Sequence, residues 1–256
     1  GQAFRDAAEP PVTDAAPYIL DRALAANAAG VKRVKVIAFE DTERRQAPPA
    51  PFITSELQHA AQVKLKLKPA DTMAAAQALY DAGHITYMRT DAPALSTEGY
   101  AMIAEHARSH GLPLAPQQRV FKSKADAQEA HECIRPTHFD RLDAGDTAQQ
   151  KALYRLIFDR AVASQLEDAI YAVRSAELVD LVDPELTYRA RGQTLVAPGW
   201  RSLYIDDDDG EDGEAPASNP IPALDVGRVL DVQGGEVKAK KTKAPKGDDL
   251  QVYEEL

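Results

Sequence analysis

The sequence predicts an α+β fold in which a β-rich part is interrupted by an inserted helical part. Three observations predict it. Alternating strand patterns stand near both ends, at residues 31–39 and 171–181. Between about 52 and 167 the signals are helix caps and apolar residues at helical spacing. The segment Ala47-Pro48-Pro49-Ala50-Pro51 lies between the first strand pattern and the helices. Proline-rich chain stays extended and cannot join a helix, so this segment is a connector. The economical division is a discontinuous β-rich domain over 1–51 and 168–256, with a helical domain over 52–167 inserted in it.

Each element follows from local chemistry. Asp14 to Ala29 is rich in Ala and Leu and reads as a helix closed by Gly30. Val31 to Phe39 alternates basic and apolar residues, as a strand does. Thr54 or Ser55 can cap a helix running to about Lys66, and Asp71 can cap another over 72–81 that stops at Gly83. His84 to Met88 has the look of a short strand. Ser96 caps a third helix ending at His110-Gly111, with Leu95 and Tyr100 placed as a hydrophobic staple. A helical turn is expected over Ala125–Cys133, ended by Pro136. The last helix runs from about Thr147 to Glu167, with Leu153, Leu156, Ile157, Val162 and Leu166 as its apolar face. Tyr171, Val173, Val179 and Leu181 then lie at period two. Gly234-Gly235, between Val229–Val232 and Glu236-Val237, is a two-residue hairpin signal. If the insert hangs on two strands, the crossings at Pro48–Pro51 and Glu167–Tyr171 must lie close together.

Composition bounds the function. At 44% hydrophobic residues the 256-residue chain can bury a core, and with no run of 18 apolar residues it has no membrane-spanning helix. The single cysteine, Cys133, excludes an intrachain disulfide and a cysteine-built zinc cluster, and fits a reducing cytosol. The chain begins Gly-Gln, with no initiator Met or signal-peptide pattern, and reads as a piece of something longer. Its net charge of −10 argues at first sight against a nucleic-acid binder. The acidity is uneven, however. Seven acidic residues crowd 206–214, five lysines stand in 238–246, and 52–167 holds 13 Lys/Arg against 14 Asp/Glu. A local basic groove in the central region is therefore open.

The chemistry concentrates in that central region. In His84-Ile85-Thr86-Tyr87-Met88-Arg89-Thr90-Asp91, an extended backbone puts Tyr87 and Arg89 on one side and Met88 on the other. A phenol can attack a phosphodiester, and a guanidinium beside it can hold two phosphate oxygens and offset developing charge. A free phenol has a pKa of about 10 and needs help losing its proton. Tyr-x-Arg is a weak pattern alone, and a core tyrosine beside a surface ion pair fits it too. The second cluster, Gln128 to Thr137, is not a zinc helix, since His131 and His138 are seven apart with a proline between. Cys133 and His131, two apart, face different ways on a helix and make a poor dyad. His131 and Arg135 could line one face and donate to phosphate. Lys64, Lys66, Lys68, Lys122 and Lys124 could add phosphate contacts, or could be plain solvated surface. No Walker A loop or dinucleotide fingerprint is present.

Several motifs together resemble a known family. Pro48 to Gln58, Thr72-Met73 with Ala76 to Tyr80, Ile85 to Asp91, and Gln128 to Thr137 stand in the order found in bacterial type IA DNA topoisomerases. Met88 and the Glu-Cys-Ile-Arg-Pro run after His131 look more like the topoisomerase I branch than the topoisomerase III branch. The resemblance implies a β-rich arch interrupted by a winged-helix-like insert. It implies that Tyr87 forms a transient 5′-phosphotyrosine link to one DNA strand, with Arg89 and His131 at the scissile phosphate. Arg135, Lys64, Lys122 and Lys124 would be DNA contacts. It further implies relaxation of negative supercoils in the cytoplasm, at the nucleoid, and Mg²⁺ held by a Toprim domain. That acidic domain has no counterpart in this sequence, so no metal ligands are expected here and the chain should be inactive alone. Its partners would be single-stranded DNA and the remaining topoisomerase domains. Departures are Ala92-Pro93, where small polar residues are usual, and Lys66, where glycine is common. A non-cleaving single-stranded DNA-binding or regulatory module is the alternative reading.

Overall fold

The computed structural model describes residues 22–121, 132–204 and 220–237. Along the chain run α1 (Arg22–Ala29), β1 (Arg33–Gln46), α2 (Thr54–Leu65), α3 (Pro69–Asp81), α4 (Thr97–Ser109), α5 (Ala148–Ala163), β2 (Ala169–Asp180), β3 (Thr187–Ala197), a 3₁₀ turn (Gly199–Tyr204) and β4 (Val229–Asp231). The fold is mixed α and β, as the sequence predicts. The four strands lie in the order β3-β2-β1-β4. By contacts the chain divides into two compact units. One comprises Gly1–Thr42, Val173–Gly192 and Asn219–Leu256, the other Glu43–Ala172 and Gln193–Ser218.

In the first unit, Val34 and Val36 of β1 are buried while Arg33 and Lys35 point outward, which is the period-two pattern read from the sequence. Strand β4 pairs antiparallel with β1, Arg33 opposite Asp231 and Lys35 opposite Val229. The expected Gly-Gly hairpin does not form, because the edge of β1 takes up 229–231 and residues 232–237 are not a strand. Gly235 instead passes so close to α1 that a Cβ there would stand 2.6 Å from the Ala29 carbonyl oxygen. Close backbone approach, rather than a turn, explains the glycine. The turn between β2 and β3 is held by its aspartates: the Val182 N–H donates to Asp180 Oδ1 at 2.9 Å and the Glu185 N–H to Asp183 Oδ1 at 3.2 Å. Strand β3 has no clear signal in the sequence because its mostly exposed residues give no apolar alternation. The acidic run 206–214 and the lysines of 238–246 lie outside the described residues.

The second unit is built on α5, against which α2, α3 and α4 pack. Thr147 and Gln150 form a reciprocal capping box at its start. Leu153, Leu156, Ile157, Val162 and Leu166 are all buried, as the helical spacing requires. Small residues (Ala60, Ala61, Ala75 and Ala76) line the facing sides of α2 and α3. Ser96 caps α4 as expected, accepting from Gly99 N–H at 3.1 Å. Two expected caps are corrected. Helix α3 starts at Pro69, three residues before the predicted start, because proline is pre-organised for the first helical position. Helix α2 has no side-chain cap, since Ile53 stands at its N-cap and Thr54 is already its first helical residue. It ends at Lys66 with φ 57°, the left-handed conformation that explains why glycine is common there in the family resembled. The turn expected over 125–133 falls mostly on residues 122–131, outside the described set, and Glu132 to Ile134 are not helical.

Within the second unit, several hydrogen bonds converge on Gln46. Its side-chain oxygen accepts from the Tyr171 hydroxyl and from Arg201 Nε, each at 3.2 Å. Its carbonyl accepts from Trp200 Nε1 at 3.0 Å, and the Trp200 N–H donates to the Glu167 carbonyl at 2.9 Å.

His106 of α4 is buried, its Nδ1 3.1 Å from the Phe139 carbonyl and its ring stacked on His110 at 4.1 Å. Burial, then the neighbouring His110, lowers its pKa below the ordinary value. The unfolded chain therefore takes up a proton at higher pH than the folded one. Stability is full above about pH 6.5 and falls as pH drops from there toward the lowered folded value. His106→Asn keeps a donor for Phe139 but does not titrate. It is expected to lose less of its urea midpoint between pH 7.5 and 5.5 than the parent does. Equal losses in the two proteins would rule the effect out.

Candidate active site

The short strand expected over His84–Met88 is not formed: the Tyr-Met-Arg segment is irregular, with bends at Thr86 and Met88, and only Ile85 makes a bridge. Ile85 bridges Pro136 and Phe52 bridges Ile134, so residues 133–136 are paired with both neighbouring segments. Burial alternates along it: Tyr87 and Arg89 are exposed, Met88 is fully buried and Thr90 is buried. Tyr87 is 41% exposed, and Arg89 is exposed as well. The Tyr87 ring meets Tyr80, at the end of α3, edge to face with centroids 5.3 Å apart.

Two threonines hold this segment, one on each side of the tyrosine. The Thr54 hydroxyl lies 2.8 Å from the Met88 carbonyl and 3.0 Å from that of Thr90, and accepts from the Thr90 N–H at 2.9 Å. The Thr54 N–H also donates to the Thr90 carbonyl at 2.9 Å. Before the tyrosine, the Thr86 hydroxyl donates to the Cys133 carbonyl at 2.7 Å and accepts from the Arg135 N–H at 3.0 Å. The Tyr87 backbone is therefore fixed at both ends while its ring is presented outward. Sequence reading misses Thr54 in this role because a threonine before a helix reads as a cap. Thr54→Val keeps the shape but leaves the Thr90 N–H without that acceptor. It is expected to cost about 1–3 kcal/mol, measured by urea unfolding. A loss below about 0.5 kcal/mol, within the noise of surface changes, would mean that Thr54 does not clamp the segment.

The remaining candidates are placed differently. Arg135 is only 5% exposed. Its guanidinium forks onto Glu132, with Nε to Oε2 and Nη2 to Oε1 both at 3.0 Å, and Nη1 donates to the Pro136 carbonyl at 2.8 Å. It braces the loop beside the tyrosine rather than facing outward. Lys64 lies over the Tyr204 ring, 5.0 Å from the centroid. His131, Lys122 and Lys124 lie outside the described residues. Cys133 is fully buried, and burial together with Glu132 pushes its thiol up to about 12, so it is an inert packing residue. Among the described residues no three His, Cys, Asp or Glu side chains lie together to hold a metal ion. No described helix is long and apolar enough to cross a membrane. The arrangement can offer an exposed phenol and an exposed guanidinium, two residues apart on a hydrogen-bonded backbone, to a polyanionic ligand.

Comparison with known proteins places the chain among relatives of known family. A family model described as DNA topoisomerase matches residues 18–248. The chain is 45% identical over 235 residues to the plasmid DNA topoisomerase I of Xylella fastidiosa (strain 9a5c), covering 90% of this chain and 36% of that protein. It is 38% identical over 230 residues to DNA topoisomerase 1 of Vibrio cholerae, covering 87% of this chain and 25% of that one. Among solved structures, full-length topoisomerase I from Thermotoga maritima superposes with a TM-score of 0.65 at 24% identity, over 87% of this chain and 38% of that one. The chain thus spans between a quarter and two fifths of the length of these relatives.

Proposed function

The chain belongs to the bacterial type IA DNA topoisomerase family, and from that membership we propose that it carries the strand-cleaving tyrosine of such an enzyme, Tyr87. The observation that carries the reading is the alternation Tyr87-out, Met88-in, Arg89-out on a backbone tied by Thr54 and Thr86. The Tyr87 oxygen attacks the phosphorus of one DNA strand. The bond to the 3′ oxygen breaks, that oxygen takes up a proton, and the phenol proton is lost. The strand is left joined to Tyr87 by its 5′ phosphate. Rejoining is the reverse reaction, so no energy source is needed to reseal the strand. Arg89 offsets charge on the phosphate as five-coordinate phosphorus forms. His131 contacts the same phosphate, and Lys122 and Lys124 contact the strand nearby. Arg135 acts through the loop it braces, which supports a positioning role.

Mg²⁺ would belong to the Toprim part of the enzyme. The described residues do not fit a metal site, and no step is assigned to the ion. The arch-and-insert arrangement, with a paired hinge at Pro48–Pro51 and Glu167–Tyr171 that lets the bound strand end swing away, completes the reading. The setting is cytoplasmic, at the nucleoid. The test is to incubate the full-length enzyme with end-labelled single-stranded DNA, trap the covalent adduct and map it by peptide sequencing. An adduct at Tyr87, with no relaxation by the purified chain alone, is expected. Binding of single-stranded DNA with no adduct under any condition would favour the non-cleaving module instead.

A further inference from the structure

A second polar feature lies in the same unit as Tyr87 and plays no part in the chemistry above. It is a cleft of about 210 Å³ lined by Ala82, Gly83, His84, Thr137, His138, Arg141 and Tyr154. Three of these side chains, His84, His138 and Arg141, can donate charge-assisted hydrogen bonds. No described residue makes a hydrogen bond or ion pair with any of the three side chains; the cleft holds their backbones instead. The Tyr154 hydroxyl donates to the Arg141 carbonyl at 2.8 Å and lies 3.3 Å from that of His138. The Thr137 hydroxyl donates to the Gly83 carbonyl at 2.6 Å, and the Thr137 N–H to the His84 carbonyl at 3.0 Å. The His84 ring packs edge-on against Tyr154, centroids 6.4 Å apart. Fixed backbones with uncommitted donor groups at the tips of these side chains make a preformed site for an anion.

The carboxylates flanking this cleft are partly engaged elsewhere. Asp81 accepts from Gln77 at 2.8 Å and Asp143 pairs with Lys151 at 3.0 Å, which leaves Asp140 as the carboxylate next to His138. His84 lies three residues before Tyr87 on the same chain segment. Three extended residues reach at most about 10 Å, so the cleft lies within that reach of the Tyr87 backbone.

We propose that the cleft formed by His84, His138 and Arg141 is a backbone-phosphate subsite for the DNA strand that Tyr87 engages. It rests on the DNA-cleaving reading above and adds a place for the strand beyond the reacting phosphate. Its physical role is register: phosphate contacts fix where a strand lies without reading its bases. Held there, the strand keeps its alignment for rejoining.

The test uses the chain as it stands and a single-stranded oligonucleotide, with binding followed by fluorescence anisotropy over a range of salt. The variant is His138→Ala with Arg141→Ala. Both residues are exposed, and only their backbone carbonyls hold Tyr154, so the fold is retained. The expected result is about a tenfold or greater loss of affinity, with a salt slope shallower by roughly 0.7 for each phosphate that is no longer neutralised. In parallel, titrating inorganic phosphate should move the imidazole NMR signals of His84 and His138. Binding by the parent with no change in the variant's affinity or slope would overturn the subsite and leave the cleavage reading intact. Failure of the parent to bind any single-stranded oligonucleotide would overturn both. Phosphate-induced shifts at His84 and His138 in the parent, together with weaker oligonucleotide binding by the variant, establish the site.

Discussion

Tyr87→Phe in the full-length enzyme is expected to abolish the covalent protein–DNA adduct and to lower strand cleavage on the order of 10⁴-fold or more. Removing a nucleophile takes away the bond-forming atom itself, and what is left is binding and electrostatics. The substitution should leave the fold untouched. The ring stays, so its edge-to-face contact with Tyr80 is kept, and the deleted hydroxyl sits on a residue 41% exposed. Affinity for single-stranded DNA should change little, since Arg89 and the rest of the surface are intact. Tyr80 is the control that makes the experiment specific. It is a phenol of similar exposure, 40%, a ring's width away, but it ends a helix and has no arginine two residues on. Tyr80→Phe should still form adduct. If Tyr87→Phe cleaved normally, or if the adduct mapped to Tyr80, the assignment of the nucleophile would be wrong.

The second large effect is structural. Gly199→Ala should destabilise the protein by about 3–4 kcal/mol, seen as a lower urea midpoint with unchanged slope. Gly199 has φ +50°, which alone costs an L residue roughly 1–2 kcal/mol. A Cβ there would collide with the Asp168 carbonyl oxygen and stand 2.6 Å from both the Asp168 carbonyl carbon and the Glu167 oxygen. Those are backbone atoms at the start of β2 and cannot rotate away as a side chain would. Relief would have to pull Trp200 out of its seat, where it is 2% exposed and donates to Gln46 and Glu167. An opposite finding, a loss under about 1 kcal/mol, would mean that this junction yields easily.

Sequence alone determined the α+β class, the helices of the central region and the exposure of Tyr87 and Arg89. These follow from local rules. Leu153, Leu156 and Ile157 recur at a helical period, and the alternation of polar and apolar residues leaves Tyr87 and Arg89 exposed with Met88 buried between them. The order of the motifs also pointed to the family, because several short matches in sequence constrain more than any one of them. Tertiary structure decided what depends on distant partners. Whether Thr54 caps α2 or clamps the tyrosine segment turned on residues 34 and 36 positions away. The Gly234-Gly235 pair obeys the local hairpin rule, yet residues 229–231 pair with β1, some 200 positions earlier, and leave 232–237 outside the sheet. Local sequence fixes backbone preference and which way a side chain points. It does not fix which hydrogen-bonding group will arrive opposite, because folding brings those partners from far along the chain.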